Sequence, residues 1–568
     1  MKRFGSWLLA AALAVSFLAV PAAAADYRDV PAEGALAGEV RKAVDYGLMQ
    51  GYSETTFGYG DSMTRAQFVT VLRRMMGWSG SEAGITQTMA LPEGLSATYR
   101  AATYRAAIGA AVQNDVVDSG KAFRPNAPIT RGEMAEMLVR ALGLKSAAEH
   151  LHSSAIPNSD AYSILHGTTP FTDLPEGEEG YITVAYTIGM TKGTSETTFS
   201  PDQTATRAQA AAMLVRIYEK LHQKTEFLHG FYAISSYSQL DFARNMDAVS
   251  AGWSRMTWNG ETALLSTTSA GGNEFAIPSG YDSVTGYVDA NGIALNLNVF
   301  MDASGGAAEL LASENGRSQA VEQIIHELTV SYNAIGKNPY NGVTIDFEGL
   351  RKGSKSDFTA FLTELRAALD QLGQSLYVCV SPVLSSGYYS GGWYDGYDYA
   401  AIGALADKVI LMAYDYEPRD MSSFIGTTYY QTAASAPIDQ VYLALKALTN
   451  EVAPEKVALG FSCKNVAWKI DADGKLLSGT PVYPSNDTVS KRLAQESTEF
   501  GWSQEYQQSY AIYRAEDGGR YFLWYQNERS IQAALDAARL LGVTGVSVWR
   551  LGTVPMYSGW NWMRLLGR

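Results

Sequence analysis

The sequence of 568 residues is longer than one ordinary domain, so two or more are expected. With 46% hydrophobic and 18% charged residues it reads as globular, with enough apolar side chains for full-sized cores. A formal net charge of −14 argues against a nucleic-acid partner.

Residues 1–25 read as a secretory signal: Lys2 and Arg3, an apolar run from Trp7 to Val20, then the small residues Ala22 to Ala25. An uncleaved anchor is the alternative, but the run is shorter than the roughly 20 residues of a spanning helix. A secreted protein with no membrane partner after cleavage is therefore expected. The two cysteines, Cys379 and Cys463, lie in apolar runs and read as buried free thiols. The six histidines form no metal-ligand pattern, and no P-loop or dinucleotide fingerprint is present, so neither metal nor cofactor is expected.

The first third repeats itself. GYSETTFGYGDSMTRAQ from Gly51 aligns without a gap with GTSETTFSPDQTATRAQ from Gly193, and AFRPNAPITRGEMAEMLVRALGL from Ala122 is a looser copy. Each copy has a turn, a short extended segment with Phe57, Phe123 or Phe199, and then Thr64, Thr130 or Thr206 before an Arg and an apolar-periodic run. Threonine there is suited to cap the helix that follows. The openings YRDV (Asp29) and FTDL (Asp173) precede the outer copies, and the middle copy has no clear opening.

These copies resemble S-layer homology modules, with expected boundaries at 26–80, 88–146 (divergent) and 168–222. The resemblance implies a helical, three-pronged unit that binds an acidic secondary polymer of the bacterial cell wall, and hence a cell-surface location. It maps the polymer-binding arginine onto Arg65, Arg131 and Arg207, and a guanidinium fork suits a carboxylate. The plainer alternative is that each arginine only caps and packs its own repeat.

From about Thr225 the pattern becomes alternating strand and helix. Eight β-rich runs appear: FLHGFYAIS, SAGWSRMTW, GIALNLNVFM, NGVTIDFEG, LYVCVSPV, DKVILMAYDY, KVALGFSC and GVTGVSVWRLG. Eight such units over residues 225–568 predict an α/β fold, a (β/α)8 barrel, with an insertion at 465–520 before the last strand. A periodic helix follows the fourth run, with Phe358, Phe361, Leu362, Leu365 and Leu369, and Gly373 at its end.

That fourth run ends in Asp346 and Glu348, two apart and so on one face of a strand. Neighbouring carboxylates raise each other's proton affinity, which keeps one protonated to act as an acid. Paired acids on a barrel rim are the equipment of glycoside hydrolysis.

NGVTIDFEG, LMAYDY (411–416), GVSVWRLG (545–552) and GFYAISSYSQ (230–239) together resemble glycoside hydrolase family 18, the branch of bacterial cell-wall and spore-cortex N-acetylglucosaminidases. The resemblance implies that Glu348 protonates the glycosidic oxygen while the substrate's own acetamide attacks. Asp346 would orient the acetamide, Tyr414 would donate to its oxygen, and Asp415 would hold the sugar or support the acid pair. Trp549 would stack under the ring, with Tyr232 a further candidate for the same place. The first two acids of the family strand are replaced by Asn341 and Thr344, which are expected still to hydrogen-bond Asp346. The implied partners are an N-acetylated glycan, peptidoglycan before chitin, and the wall polymer. A barrel that binds glycans without cutting them, and a purely structural surface protein, are the alternatives.

Overall fold

A computed structural model describes residues 27–80, 99–152, 169–384, 395–557 and 562–566 of the chain. The expected secretory signal and the opening of the second repeat lie outside the described residues.

The repeats are built around capped helices. Helices Arg65–Met75, Arg131–Ala141 and Arg207–Leu221 start at Thr64, Thr130 and Thr206, whose hydroxyls accept from the backbone N–H of Gln67, Glu133 and Gln209. Those three side chains in turn accept from the threonine N–H groups, each at 3.0 Å. Such reciprocal caps satisfy donors that a helix start leaves open and contribute about 1 kcal/mol each.

The repeats close into a ring through their backbones. Met63 N–H donates to Ala205 O (3.1 Å), Ala205 N–H to Ile129 O (3.3 Å) and Ile129 N–H to Met63 O (2.8 Å). The three copies thus meet at a pseudo-threefold centre, over a core that buries Phe57, Phe123 and Phe199.

Helix Arg207–Leu221 leads directly into the second region. Its strands are β1 (Phe227–Tyr232), β2 (Ala248–Trp258), β3 (Ala263–Ser266), β4 (Ala294–Met301), β5 (Gly342–Phe347), β6 (Ser375–Val380), β7 (Lys408–Leu411), β8 (Val457–Ser462), β9 (Val466–Ile470), β10 (Glu499–Ser503), β11 (Gln508–Arg514), β12 (Arg520–Tyr525) and β13 (Gly545–Trp549). The order β1-β13-β8-β7-β6-β5-β4-β2, with β1 also paired to β2, is a closed eight-stranded parallel barrel. Strand β3 adds antiparallel to β2, an extension that the run-by-run reading left out. Strands β9 to β12 form a separate antiparallel sheet, which is the insertion expected before the last strand.

Side chains of the barrel strands alternate between two surroundings. Phe227, Phe231, Ala248, Tyr377, Cys379, Ile410 and Ala458 gather with Met412 and Trp549 inside the barrel. Leu228, Tyr232, Val249, Val343, Ile345 and Phe347 join the outer core with the covering helices. Helix Lys355–Leu372 buries Phe358, Phe361, Leu362, Leu365 and Leu369 and ends at Gly373, whose φ of 64° suits glycine. Each such buried side chain contributes roughly 1.5–3 kcal/mol.

The two regions are docked by specific bonds. Lys220 Nζ donates to Leu540 O at 2.6 Å, Ser146 Oγ to Glu505 O at 2.8 Å, and His150 Nδ1 lies 2.9 Å from the buried Asp439 carboxylate.

Candidate active site

Strand β5 carries the central acids, and its end is pinned from three sides. The Phe347 ring points outward and stacks on Phe361 at 5.2 Å between centroids. Tyr397 Oη donates to Phe347 O at 2.8 Å, and Glu348 N–H donates to Met301 O at 2.8 Å. With Phe347 outside, Asp346 and Glu348 are both turned to the barrel mouth.

Asp346 is buried, and its Oδ1 has no hydrogen-bond partner among the described residues. Asn298, an inward residue of β4, turns its amide to the Asp346 carboxylate. Burial raises the proton affinity of Asp346, and the nearby Asn298 amide and Cys379 thiol oppose that shift. Glu348 is raised further from its ordinary value, first by burial and then by the charges of Asp346, Asp302 and Asp415, against the opposing Arg419. The arrangement separates the two acids in the order that acid catalysis needs: Glu348 holds its proton longer than Asp346.

Tyr414 and Asp415 follow β7. Gly460 on β8 gives Tyr414 its place, since a Cβ there would lie 2.8 Å from Tyr414 Cε1 and 2.7 Å from Leu411 O. Burial and the charges of Asp346 and Asp415 keep the Tyr414 hydroxyl protonated, a donor rather than an anion. Asp415 adopts a left-handed φ of 59° and lies 3.4 Å from Lys464 Nζ. Trp549 ends β13 inside the barrel, edge-on to Phe231 with centroids 5.0 Å apart. Its carbonyl accepts from Cys463 N–H at 3.0 Å.

Three expectations are corrected. Tyr232 does not face the site: it points into the outer core, edge-on to Trp253 at 6.2 Å, and Phe231 takes the inward position one residue earlier. Asn341 lies at the opposite, N-terminal end of β5, where its Oδ1 accepts from Leu295 N–H at 2.8 Å. Asp346 is five positions further along the strand, roughly 16 Å away. Thr344 does face inward, below Asp346, but its hydroxyl bonds elsewhere, to Ser250 Oγ at 2.6 Å.

Thr344 belongs to a buried neutral belt. Ser547 Oγ lies 2.8 Å from His229 Nδ1, His229 Nε2 lies 2.7 Å from Ser250 Oγ, and Asn296 Nδ2 donates to Thr344 Oγ1 at 3.5 Å. Burial pushes the His229 imidazole down to about 3, so the belt carries no charge. Asn298 and the belt were missed by sequence reading, although the alternation Asn296–Leu297–Asn298 in an apolar strand was a visible signal.

In the repeats, the arginines serve the ring. Arg131 Nε donates to Phe199 O at 2.9 Å and Arg207 Nε to Phe57 O at 3.0 Å, each in the next repeat around the ring. Each guanidinium also covers that phenylalanine ring, at 4.9 and 4.8 Å. Arg65 pairs with Glu133, so each arginine packs a neighbouring repeat rather than its own. Asp29 accepts from the N–H groups of Phe57, Gly58 and Tyr59, and Asp173 from those of Phe199 and Ser200.

Comparison with known families agrees with this division. Residues 285–553 match the description of glycosyl hydrolases family 18. Residues 26–69, 101–135 and 170–211 match the S-layer homology domain. A Bacillus subtilis (strain 168) protein with a provisional designation as a sporulation-specific glycosylase is 25% identical over 249 residues, 42% of this chain and 56% of that one. The cortical fragment-lytic enzyme of the same organism is 25% identical over 228 residues, 40% of this chain and 49% of that one. The chain thus spans about half the length of these curated relatives. The crystal structure of the spore cortex-lytic enzyme of Bacillus megaterium QM B1551 aligns with a TM-score of 0.45 and 17% identity, covering 59% of this chain and 72% of that one. This chain carries three S-layer homology domains followed by a glycosyl hydrolase family 18 domain.

Proposed function

We propose that this protein is a wall-anchored glycoside hydrolase that cleaves β-1,4 bonds next to N-acetylated sugars, with peptidoglycan as its substrate. The observation that carries the reading is the acid pair at the mouth of the barrel, with Glu348 the more tightly protonated member and Asp346 beside it. The family 18 match and the cortical fragment-lytic relative support the same class of reaction.

In this reading Glu348 gives its proton to the glycosidic oxygen as the bond from that oxygen to C1 breaks. The acetamide carbonyl oxygen of the same sugar forms the new bond to C1, closing an oxazolinium ion, and no protein nucleophile is needed. Asp346 faces the acetamide nitrogen and balances the positive charge. Tyr414 donates to the acetamide oxygen, Asp415 holds the sugar, and Trp549 supports the ring face. Water then attacks C1, passing a proton to the Glu348 carboxylate and opening the oxazolinium, so the configuration at C1 is retained.

The S-layer homology domains would hold the enzyme on its substrate by binding a secondary wall polymer at the bacterial surface. Arg65, Arg131 and Arg207 line the seams between repeats, and polymer binding there would reuse guanidiniums that already hold the ring.

Digestion of purified peptidoglycan and of chitin oligomers by wild type and by Glu348→Gln, read by mass spectrometry of new reducing ends, tests the proposal. New N-acetylglucosamine ends from wild type alone support it. Binding without cleavage by both proteins would favour a glycan-binding barrel, a reading that the neutral Thr344 belt supports.

A further inference from the structure

Lys464 stands just past the end of β8, at the foot of the inserted sheet. Its Nζ donates to Glu417 Oε1 at 2.6 Å and lies 3.4 Å from Asp415 Oδ2. The same ammonium sits 4.2 Å from the centroid of the Tyr483 ring, on the segment between β9 and β10. One cation therefore joins three pieces of the mouth: the residues after β7, the end of β8 and the insertion.

Asp415 needs such a hold. It is a non-glycine residue in the left-handed region, a conformation that costs of order 1 kcal/mol and persists only where its surroundings impose it. It directly follows Tyr414, so any relaxation of its backbone moves the Tyr414 hydroxyl as well. Asp415 is also one of the carboxylates that act on Glu348, together with Asp346 and Asp302 and against Arg419. Glu417 is buried beside it, and Lys464 is the cation that both carboxylates share.

We propose that Lys464 is a positioning residue for the reaction: it clamps Asp415 and Glu417 at the edge of the mouth, fixing Tyr414 and Asp415 and limiting the negative charge that reaches Glu348. The inference rests on the glycosidase reading of the preceding subsection. Without the clamp, Asp415 and Glu417 lose the cation they share, and Glu348 gives up its proton less readily.

The test compares wild type, Lys464→Met and Lys464→Arg on the glycan that wild type cleaves, with kcat and KM measured across pH and a melting curve for each protein. Lys464→Met is expected to lose roughly tenfold in kcat, the effect of a misplaced donor. Its alkaline limb should move upward by roughly half a pH unit, the size of one partly screened charge at this range. Lys464→Arg, which keeps the cation, should restore both. A Lys464→Met enzyme that melts earlier but keeps the wild-type limb and kcat would overturn the inference and leave the glycosidase reading intact. A wild type that cleaves no N-acetylated glycan would overturn both.

Discussion

The repeat ring and the barrel mouth use polar side chains in opposite ways. In the ring, Asp29 and Asp173 spend both carboxylate oxygens on backbone N–H groups, and Arg131 and Arg207 spend their guanidiniums on carbonyls of the next repeat. In the mouth, Asp346 Oδ1 is buried without a partner among the described residues. Buried polar atoms are normally satisfied, because leaving one bare costs about 1–3 kcal/mol. These ring side chains are therefore satisfied by the protein itself, whereas Asp346 Oδ1 is left open at the mouth.

Substitutions can break this contrast. The largest effect is expected at Asp346: Asp346→Asn should lower kcat by roughly 10²–10³-fold, the scale of losing a charge-stabilising group. It should also leave the melting temperature unchanged or higher, since a buried carboxylate is replaced by a neutral amide. A lower melting temperature would mean that Asp346 holds structure. Arg207→Ala should do the reverse. It removes the bonds to Phe57 O and Gln50 O and the cover over Tyr52 and Phe57, a loss of about 2–4 kcal/mol in the ring's stability. Hydrolysis of a soluble oligomer by the barrel should be unaffected, and a calorimetric scan beside an oligomer assay would separate the two.

A smaller effect sharpens the comparison through pH. His229 stays neutral when folded, pushed down to about 3, whereas an unfolded histidine protonates near pH 6.5. The unfolded state thus binds more protons between these values, and stability falls as pH drops through that window, by at most about 1.4 kcal/mol per pH unit. His229→Gln should flatten the acid side of a melting-temperature profile. The smallest change is expected for Asp29→Ala. Burial works to raise its proton affinity, but three backbone N–H bonds prevail and hold it below its usual value. Their loss should cost roughly 1–2 kcal/mol, read as a lower melting temperature.

Much of the barrel was legible because its strands are short β-branched runs separated by helical patterns. All eight runs became barrel strands, and the acids of NGVTIDFEG fell at the mouth. Strand β3 was missed although Asn259–Gly260, a common hairpin signal, precedes it. Tyr232 was a candidate through the likeness of GFYAISSYSQ to a family strand, but Phe231, one residue earlier, is the inward aromatic. The parity is set by His229, whose partners Ser547 and Ser250 lie on neighbouring strands and are invisible in a linear reading. The arginines show the same limit: their Thr-Arg pattern is local, but the carbonyls they bind lie in another repeat.

The most direct test of the central claim is the configuration of the first product. Proton NMR of a chitin oligomer or muramyl glycan, recorded within the first minutes of digestion, resolves the α and β anomers before they equilibrate. Substrate-assisted attack with Glu348 as the acid predicts that the new reducing end appears first as the β anomer. An initial α anomer would mean direct displacement by water and would contradict the roles assigned to Asp346 and the acetamide.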